Sequence, residues 1–198
     1  MPRRYSLGKR ATSKADTRAR IVAAAVGICR DRGMAAASNL AIARAADVAP
    51  ATIRNHFPDP SQLSSAVFDE VLGELRPPGL EIFDGIEGLS ARIGRLATDL
   101  ASFYERSDPW WRAYEREPEL IEAWSSGVDR YYQDIDDLMR AALGPLSADD
   151  EALAVVAAVI GPPTFFALRA RGLSSQQAVE LGLELAVPWL ERRAAVRG

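Results

Sequence analysis

Residues 39–57 constrain the fold of this chain more than any other stretch of its sequence. Ile42 and Ala46 lie one helical turn apart and give a short helix an apolar face. Asp47 comes next, where a tight turn commonly forces positive φ, a conformation that Asp tolerates better than most residues. Pro50 then suits the first turn of a second helix, because the N–H that proline lacks has no partner there. The pattern predicts two short helices joined by a tight turn.

The second predicted helix, from about Pro50 to Phe57, has the composition of an element that reads DNA. Ile53 and Phe57 supply its buried side. The other residues face outward or flank the core, and they are Ala51, Thr52, Arg54, Asn55 and His56. Small residues let the backbone approach the bases, while Thr, Arg and Asn hydrogen-bond phosphates and base edges. With Ser38, Asn39 and Pro50, these residues are the DNA contacts expected in and beside the motif.

The residues around this motif resemble the N-terminal domain of TetR-family transcriptional regulators from Thr17 to Leu75. The family pattern is a first helix that ends at Gly, a turn of the form I-A-x-x-A-G-V-S, and T-[LI]-Y-x-H-F-P-x-K before a fourth helix. It stands here without gaps as Gly33, Ile42–Ala49 and Thr52–Pro60. Four positions depart from it: Arg54 replaces Tyr, Pro60 replaces a phosphate-contacting Lys, Leu40 replaces a frequent polar or basic residue, and Asp47 replaces Gly. Three habitual phosphate contacts of the family are therefore altered.

The resemblance implies an all-α fold, with an N-terminal three-helix helix-turn-helix DNA-binding domain and a larger helical ligand-binding and dimerisation domain. We expect a basic arm over residues 1–16, the DNA-binding domain over residues 17–60 and the second domain over residues 61–198. The resemblance also implies that His56 is structural or contacts phosphate, and that the last two long helices of each subunit form a homodimer interface.

Charge is distributed unevenly along the chain. Residues 1–57 contain eleven Lys and Arg against three Asp, a net +8, so the remainder carries −11 within the overall net charge of −3. A basic head suits a DNA reader, because its cations release counterions from the phosphates. We expect the arm to be disordered alone and partly ordered on DNA, with contacts from Arg3, Arg4, Lys9, Arg10 and Lys14. Arg18, just after the arm, is expected to contact DNA as well. The alternative is a merely solvated extension.

Composition narrows the class of protein further. The longest apolar run, Ala152–Ile160, is interrupted at Gly161 and is shorter than a membrane span. The basic N-terminus lacks the apolar core of a secretory signal, so we expect a cytoplasmic protein with no membrane partner. Cys29 is the single cysteine, which excludes a disulfide within the chain, and it lies on the apolar stripe of the first helix. We expect it to be buried.

Beyond residue 57 the chain is predicted to be helical, since no run alternates with the period of a strand. A capping pattern at Asp59–Gln62 and the apolar stripe that follows predict a fourth helix, which Arg76–Gly79 ends. Further helices are expected over Leu89–Arg106, Pro109–Arg116, Pro118–Leu143, Ser147–Arg171 with a kink at Gly161-Pro162-Pro163, and Ser174–Arg193.

Aromatic residues are concentrated in the acidic body. Packing explains part of this, because an all-helical core needs large residues. Amphipathic aromatic walls also fit a cavity for a largely apolar small-molecule effector, and the acidic surround favours positive charge on it. The residues expected to line this cavity are Phe103, Trp110, Trp111, Tyr114, Trp124, Tyr131, Phe165 and Phe166.

The sequence offers no catalytic constellation. His56 is the single histidine, so neither a two-His metal site nor a Ser-His-Asp triad outside the DNA-binding head can be built. Asp129, Asp134, Asp136 and Asp137 fall on several helical faces without a calcium loop, which favours a solvated surface over a metal site. We therefore expect no enzyme, no cofactor and no metal.

The last two predicted helices carry more apolar residues than one small bundle can cover. An internal core is one explanation, but a homodimer is expected, since so short a helix-turn-helix binds one half-site too weakly to act alone. We predict a ligand-responsive regulator, a repressor that a small, largely apolar effector releases from a palindromic DNA operator. The alternatives are a small helical ligand-binding protein with a degenerate DNA-binding head and, third, a helical enzyme that uses the aromatic cavity.

Overall fold

The computed structural model describes the backbone of residues 7–116 and 121–197 and the side chains of residues 12–112 and 128–196. Within these ranges the chain forms α-helices and short 3₁₀ segments, with no strand. The predicted all-α class, with a helix-turn-helix domain followed by further helices, is confirmed. The helices are α1 (Leu7–Arg32), α2 (Asn39–Ala45), α3 (Pro50–His56), α4 (Pro60–Leu75), α5 (Leu89–Arg116), α6 (Ile121–Leu143), α7 (Asp150–Ile160), α8 (Pro162–Ala170) and α9 (Ser175–Arg197).

Helix α1 begins at Leu7, inside residues 1–16, which were expected to form a disordered arm. Residues 9–16 contain Lys, Arg and Ala and neither Gly nor Pro, so helix propensity extends α1 into the predicted arm. The buried side of α1 is the predicted apolar stripe of Ile21, Val22, Ala25, Ile28 and Cys29. Cys29 is therefore buried among apolar residues, as expected.

The chain divides into two compact units, Met1–Glu74 with Pro109–Val128 and Leu75–Asp108 with Asp129–Gly198. Almost all of α4 belongs to the first unit, whereas the sequence analysis assigned it to the second domain. Its start is capped by Asp59, whose carboxylate accepts a hydrogen bond from the Ser61 N–H at 2.9 Å. Near its end, Glu74 pairs with Arg30 of α1 at 2.7 Å. Its predicted apolar stripe is buried at Leu63, Val67 and Val71.

The second unit has its own apolar core, built from one side of each of its helices. Its largest fully buried side chains are Ile93, Leu96, Leu100, Tyr104, Leu138, Leu143, Leu146, Val156 and Leu190. Asp149 caps α7 by accepting hydrogen bonds from the N–H groups of Glu151 at 3.1 Å and Ala152 at 3.3 Å. The start of α7 is thus fixed against the core.

Helix α5 is continuous where two helices were predicted, over Leu89–Arg106 and Pro109–Arg116. Pro109 lies inside the helix. A proline removes one backbone donor and bends a helix more readily than it ends one when the flanking turns are helical.

Helices α7 and α8 are separate, where one kinked helix was predicted. Gly161 between them is extended, and Pro162 opens α8 at a position that needs no backbone donor. A Cβ on Gly161 would lie 2.1 Å from the carbonyl oxygen of Ala157, so only glycine fits the break. By length and composition, Asp150–Ala170 is apolar enough for a membrane span, but one such segment does not indicate a membrane protein. The break divides this segment, and Val156 and Phe165 are buried in the core.

Candidate nucleic-acid interface and effector site

Local hydrogen bonds close both ends of helix α2. The Ser38 hydroxyl accepts a hydrogen bond at 3.2 Å from the backbone N–H three residues on, so Ser38 caps the start of the helix. At the other end, the Val48 N–H donates to the Ala43 carbonyl at 3.0 Å and the Asp47 N–H donates to the Arg44 carbonyl at 3.3 Å. These two bonds form a Schellman motif, which satisfies carbonyls that the helix end leaves without partners.

Asp47 occupies the left-handed position of this motif, with φ of +51°. The positive φ predicted for the turn is confirmed, and Asp stands where glycine would carry no steric cost. Arg20 of α1 holds the same turn, because its Nη2 donates to the Ala46 carbonyl at 2.8 Å and to the Asp47 carbonyl at 3.1 Å. Sequence reasoning missed this role of Arg20, since backbone carbonyl acceptors leave no residue signature.

Helix α3 presents the predicted reading face to solvent. Pro50 is in its first turn, and Ile53 and Phe57 are buried as predicted. The exposed residues are Pro50, Ala51, Arg54 and Asn55, while Thr52 and His56 are half-buried beside them. Ala51 and Asn55 are four residues apart and Arg54 lies three after Ala51, so these three share one face. That face combines a close backbone approach with hydrogen-bonding groups for phosphates and base edges.

Arg18 of α1 braces the end of the reading helix. Its Nη1 donates a hydrogen bond to the His56 carbonyl at 3.0 Å, and its guanidinium carbon lies 4.0 Å from the centre of the Phe57 ring. A cation at a helix C-terminus satisfies an unpaired carbonyl and opposes the negative end of the helix dipole. Arg18 was expected to contact DNA, and the structure gives it this intramolecular role.

The remaining expected DNA contacts fall into two groups. Ser38 and Asn39 are exposed at the start of α2, and Lys14 is exposed on α1. The side chains of Arg3, Arg4, Lys9 and Arg10 lie outside the described residues. Leu40, at a position that is often polar or basic in the resembling family, is 50% exposed.

Residues 21–67 match the family model of bacterial regulatory proteins, tetR family. This match supports a TetR-family regulator. The domain makes it a DNA-binding transcriptional regulator. The match covers α2 and α3 with their turn, residues 21–32 of α1 and the first half of α4. No curated protein and no solved structure matches the chain.

The predicted effector residues are distributed over both units. Phe103, Tyr131, Phe165 and Phe166 belong to the second unit, whereas Trp110 and Trp111 belong to the first. The side chains of Tyr114 and Trp124 lie outside the described residues. Sequence proximity grouped these aromatics, but Trp110 follows the point in α5 where the chain passes from one unit to the other.

Tyr104, which sequence reasoning did not select, lies at the centre of the aromatic residues in the second unit. Its ring centre is 6.0 Å from Phe103, 5.4 Å from Phe165 and 6.1 Å from Phe166. Tyr131 joins this group at 5.9 Å from Phe103. A period of one helical turn from Leu100 places Tyr104 on the buried stripe of α5, and this signal could have identified it.

The carboxylates considered for a metal site are all exposed, at Asp129, Asp134, Asp136 and Asp137. Among the residues that the structure describes, no three His, Cys, Asp or Glu side chains are grouped as metal ligands would be. Arg140 pairs with Asp150 at 2.9 Å on this acidic unit, and this exposed pair contributes little stability.

Proposed function

We propose that this TetR-family regulator is a cytoplasmic repressor that binds a palindromic operator as a homodimer and is released by a small, largely apolar effector. The observation that carries the DNA-binding part is the exposed face of Ala51, Arg54 and Asn55 on a helix that is braced at its end. Bracing supports specific reading, because side chains on a fixed helix lose less freedom when they meet the bases. Other members of the family are regulators, and we infer no catalytic activity for this one.

The charge of the DNA-binding region supports the same proposal. Arg44 and Arg54 are exposed on the two helices of the motif, and Lys14 is exposed on α1. Pro60 and Leu40 supply no cation at two positions where the family has phosphate contacts, so the basic residues of the arm would provide the missing affinity. The operator complex is therefore expected to depend strongly on salt.

An apolar surface on the second unit supports the homodimer. The most apolar window of Asp150–Ala170 has a mean hydropathy of 1.8, yet only 28% of it is buried within one chain. Helix α9 packs against α7 and α8. Two of its apolar residues remain exposed to solvent, Leu185 at 61% and Val196 at 87%. We assign this surface to a second copy of the chain, because one short reading helix covers one half-site and a symmetric dimer covers two.

Dimer formation is tested by light scattering at micromolar concentration. Leu185→Glu is expected to shift the protein to the monomer and to weaken operator binding, because a buried charge at the interface has no partner. Leu80→Glu is the matched control, since Leu80 is a leucine of similar exposure, 59%, outside α7–α9. A monomeric wild-type protein, or equal effects of the two variants, would contradict the homodimer.

The effector part of the proposal rests on the aromatic core of the second unit and on helix continuity. Helix α4 runs without interruption from Pro60 to Leu75. At its end, Arg106 of α5 donates from Nε to the Leu75 carbonyl and from Nη2 to the Arg76 carbonyl, each at 3.1 Å. A ligand that favours one arrangement of α5 would thereby bias α4, and a coupling of about 1–3 kcal/mol would lower DNA affinity roughly 5- to 150-fold.

Selection of genomic DNA fragments by the purified protein tests the DNA-binding part. The wild-type protein is expected to enrich an inverted repeat whose half-sites are spaced by about one helical turn. Arg54→Ala is expected to weaken binding by about 1–3 kcal/mol and to relax one position of the site. Arg171→Ala, which removes an exposed arginine of the second unit, is the matched control. No enriched site would favour the small ligand-binding protein with a degenerate head.

A further inference from the structure

The Tyr104 hydroxyl is a buried polar group. Tyr104 is 2% exposed, and its oxygen meets no hydrogen-bond partner among the described residues. Burying a hydroxyl without a hydrogen bond destabilises a folded protein, and phenylalanine would fill the same space without that cost. The hydroxyl therefore needs an explanation other than packing.

A small cavity adjoins Tyr104. Its volume is about 10 Å³, which is roughly enough for one water molecule. Tyr104 alone among its lining residues has a polar side-chain atom, and the others are Ala97, Ala101, Val159, Ile160, Phe165, Leu168, Ala178 and Val179. A buried water needs two to four polar partners, and the side chains of this wall supply one.

The hydroxyl is suited to donate a hydrogen bond. Burial, followed by the neighbouring Tyr131 and Tyr132, raises the pKa of Tyr104 well above 10, so the group stays protonated at neutral pH. No charged side chain lines the cavity. A charged ligand group placed there would be desolvated without compensation, whereas a neutral acceptor oxygen would gain the hydrogen bond.

We propose that the Tyr104 hydroxyl anchors a neutral, largely apolar effector that carries one acceptor oxygen, such as a ketone, ester or ether. This inference rests on the proposed ligand response and replaces the preference for positive charge drawn from the acidic sequence. The acidic residues lie outside the cavity, and the wall itself decides which group is accepted.

The size of the cavity links binding to movement. A ligand larger than about one water molecule enters only if the walls on α5, α7, α8 and α9 separate, because packed interiors do not deform continuously. Tyr104 lies on α5 two residues before Arg106, which holds the end of α4. A ligand in the cavity is therefore expected to move α5, the helix whose Arg106 bonds the end of α4.

The test uses the full-length protein and two probes of similar shape, acetophenone with an acceptor oxygen and ethylbenzene without one. Dissociation constants are measured for the wild type, Tyr104→Phe and the control Tyr132→Phe, whose tyrosine is 43% exposed. Tyr104→Phe is expected to weaken the binding of acetophenone roughly 3- to 10-fold, and to leave the binding of ethylbenzene unchanged or tighter. The effect of the substitution on each probe is compared with the wild type, so the difference in hydrophobicity between the probes cancels.

A second measurement needs no ligand. Tyr104→Phe is expected to raise the melting temperature by about 2–4 °C, because it removes an unsatisfied buried hydroxyl. An unchanged or lower melting temperature would show that the hydroxyl is satisfied and would overturn the proposal. Equal losses on both probes, or binding of neither probe to the wild type, would overturn it as well.

Release of operator DNA by acetophenone separates this inference from the proposed function. If the probes follow the expected pattern but no DNA is released, Tyr104 remains the anchor and the ligand response is contradicted. If DNA is released while Tyr104→Phe weakens both probes equally, the ligand response stands and the anchor is overturned.

Discussion

Arg193 of α9 binds the carboxylate of Asp149 with two hydrogen bonds, from Nε to Oδ2 at 2.7 Å and from Nη2 to Oδ1 at 3.1 Å. The same carboxylate caps the first turn of α7, and its side chain is 3% exposed. The hydrogen bond with Asp149 is the main reason that the pKa of Arg193 is raised, so the arginine stays charged. One carboxylate thus serves both the cap of α7 and the attachment of α9.

Asp149→Ala is expected to lower the stability of the second unit by about 1–2 kcal/mol, which corresponds to roughly 2–8 °C in melting temperature. The loss combines the missing cap with an arginine that no longer has its buried partner. Asp149→Asn retains an acceptor for the cap and should lose less. The comparison is made by thermal unfolding, and equal melting temperatures for all three proteins would contradict the role of this carboxylate.

Asp47→Gly is expected to stabilise the DNA-binding domain by about 0.5–1 kcal/mol, because glycine adopts the observed φ of +51° without steric cost. Asp47→Asn distinguishes the effect of backbone conformation from the effect of charge, since Asn tolerates positive φ and is neutral. Both variants remove a negative charge beside the proposed DNA surface and should tighten operator binding. Thermal unfolding and DNA titration at fixed salt measure the two effects. A destabilised Asp47→Gly protein would show that the Asp side chain itself stabilises the turn.

Arg18→Ala and Arg18→Lys distinguish bracing from phosphate contact. If Arg18 braces α3, both variants lower the melting temperature, because lysine has no fork that can bond the His56 carbonyl while lying over the Phe57 ring. The expected loss is about 0.5–1.5 kcal/mol. The salt dependence of operator binding should then stay unchanged in Arg18→Lys, which keeps the charge. If only operator affinity falls, and stability does not, Arg18 is a DNA contact alone.

The local pattern predicted the helix-turn-helix well because each of its signals acts within a few residues. Asp47 for the turn, Pro50 for the helix start and Ile53 for the buried face each operate on neighbouring backbone. Arg18 and Arg20 bond carbonyls 38 and 26 residues away, and no residue type marks such acceptors. The exposed face of α3 could therefore be predicted from the sequence. The arginines that hold the motif in place could not.

The aromatic group proposed as the effector site was less predictable, because it depends on which sides of the helices meet. The sequence suggested tryptophans, and the structure centres the aromatic group of the second unit on Tyr104. The arm boundary failed for a similar reason, since basic residues are equally compatible with a helix and with disorder.

Deletion of Met1–Lys14 is expected to weaken operator binding and to flatten its salt dependence by roughly one log-log unit for each phosphate that the arm no longer neutralises. The physical reason is that Lys and Arg side chains release counterions from DNA without reading bases. Sequence preference should survive, because the face of α3 is intact. DNA titrations at several salt concentrations provide the slope, and an unchanged slope would show that the arm is only a solvated extension.

Alkaline pH is expected to destabilise the second unit through Tyr104 and Tyr131. Burial raises the pKa of both hydroxyls above the value of 10.0 for an exposed tyrosine. The folded protein therefore holds these two protons more tightly than the unfolded chain does. Their contribution to stability is complete below pH 10 and is lost as the pH rises above it, at up to about 1.4 kcal/mol per pH unit for each group.

Melting temperatures measured across this range should fall less steeply for Tyr104→Phe than for the wild type, because one of the two titrating groups is gone. Tyr132→Phe is the control, since Tyr132 is 43% exposed and should leave the slope close to that of the wild type. Parallel curves for the wild type and Tyr104→Phe would show that Tyr104 ionises equally well in the folded and unfolded states, and would contradict this prediction.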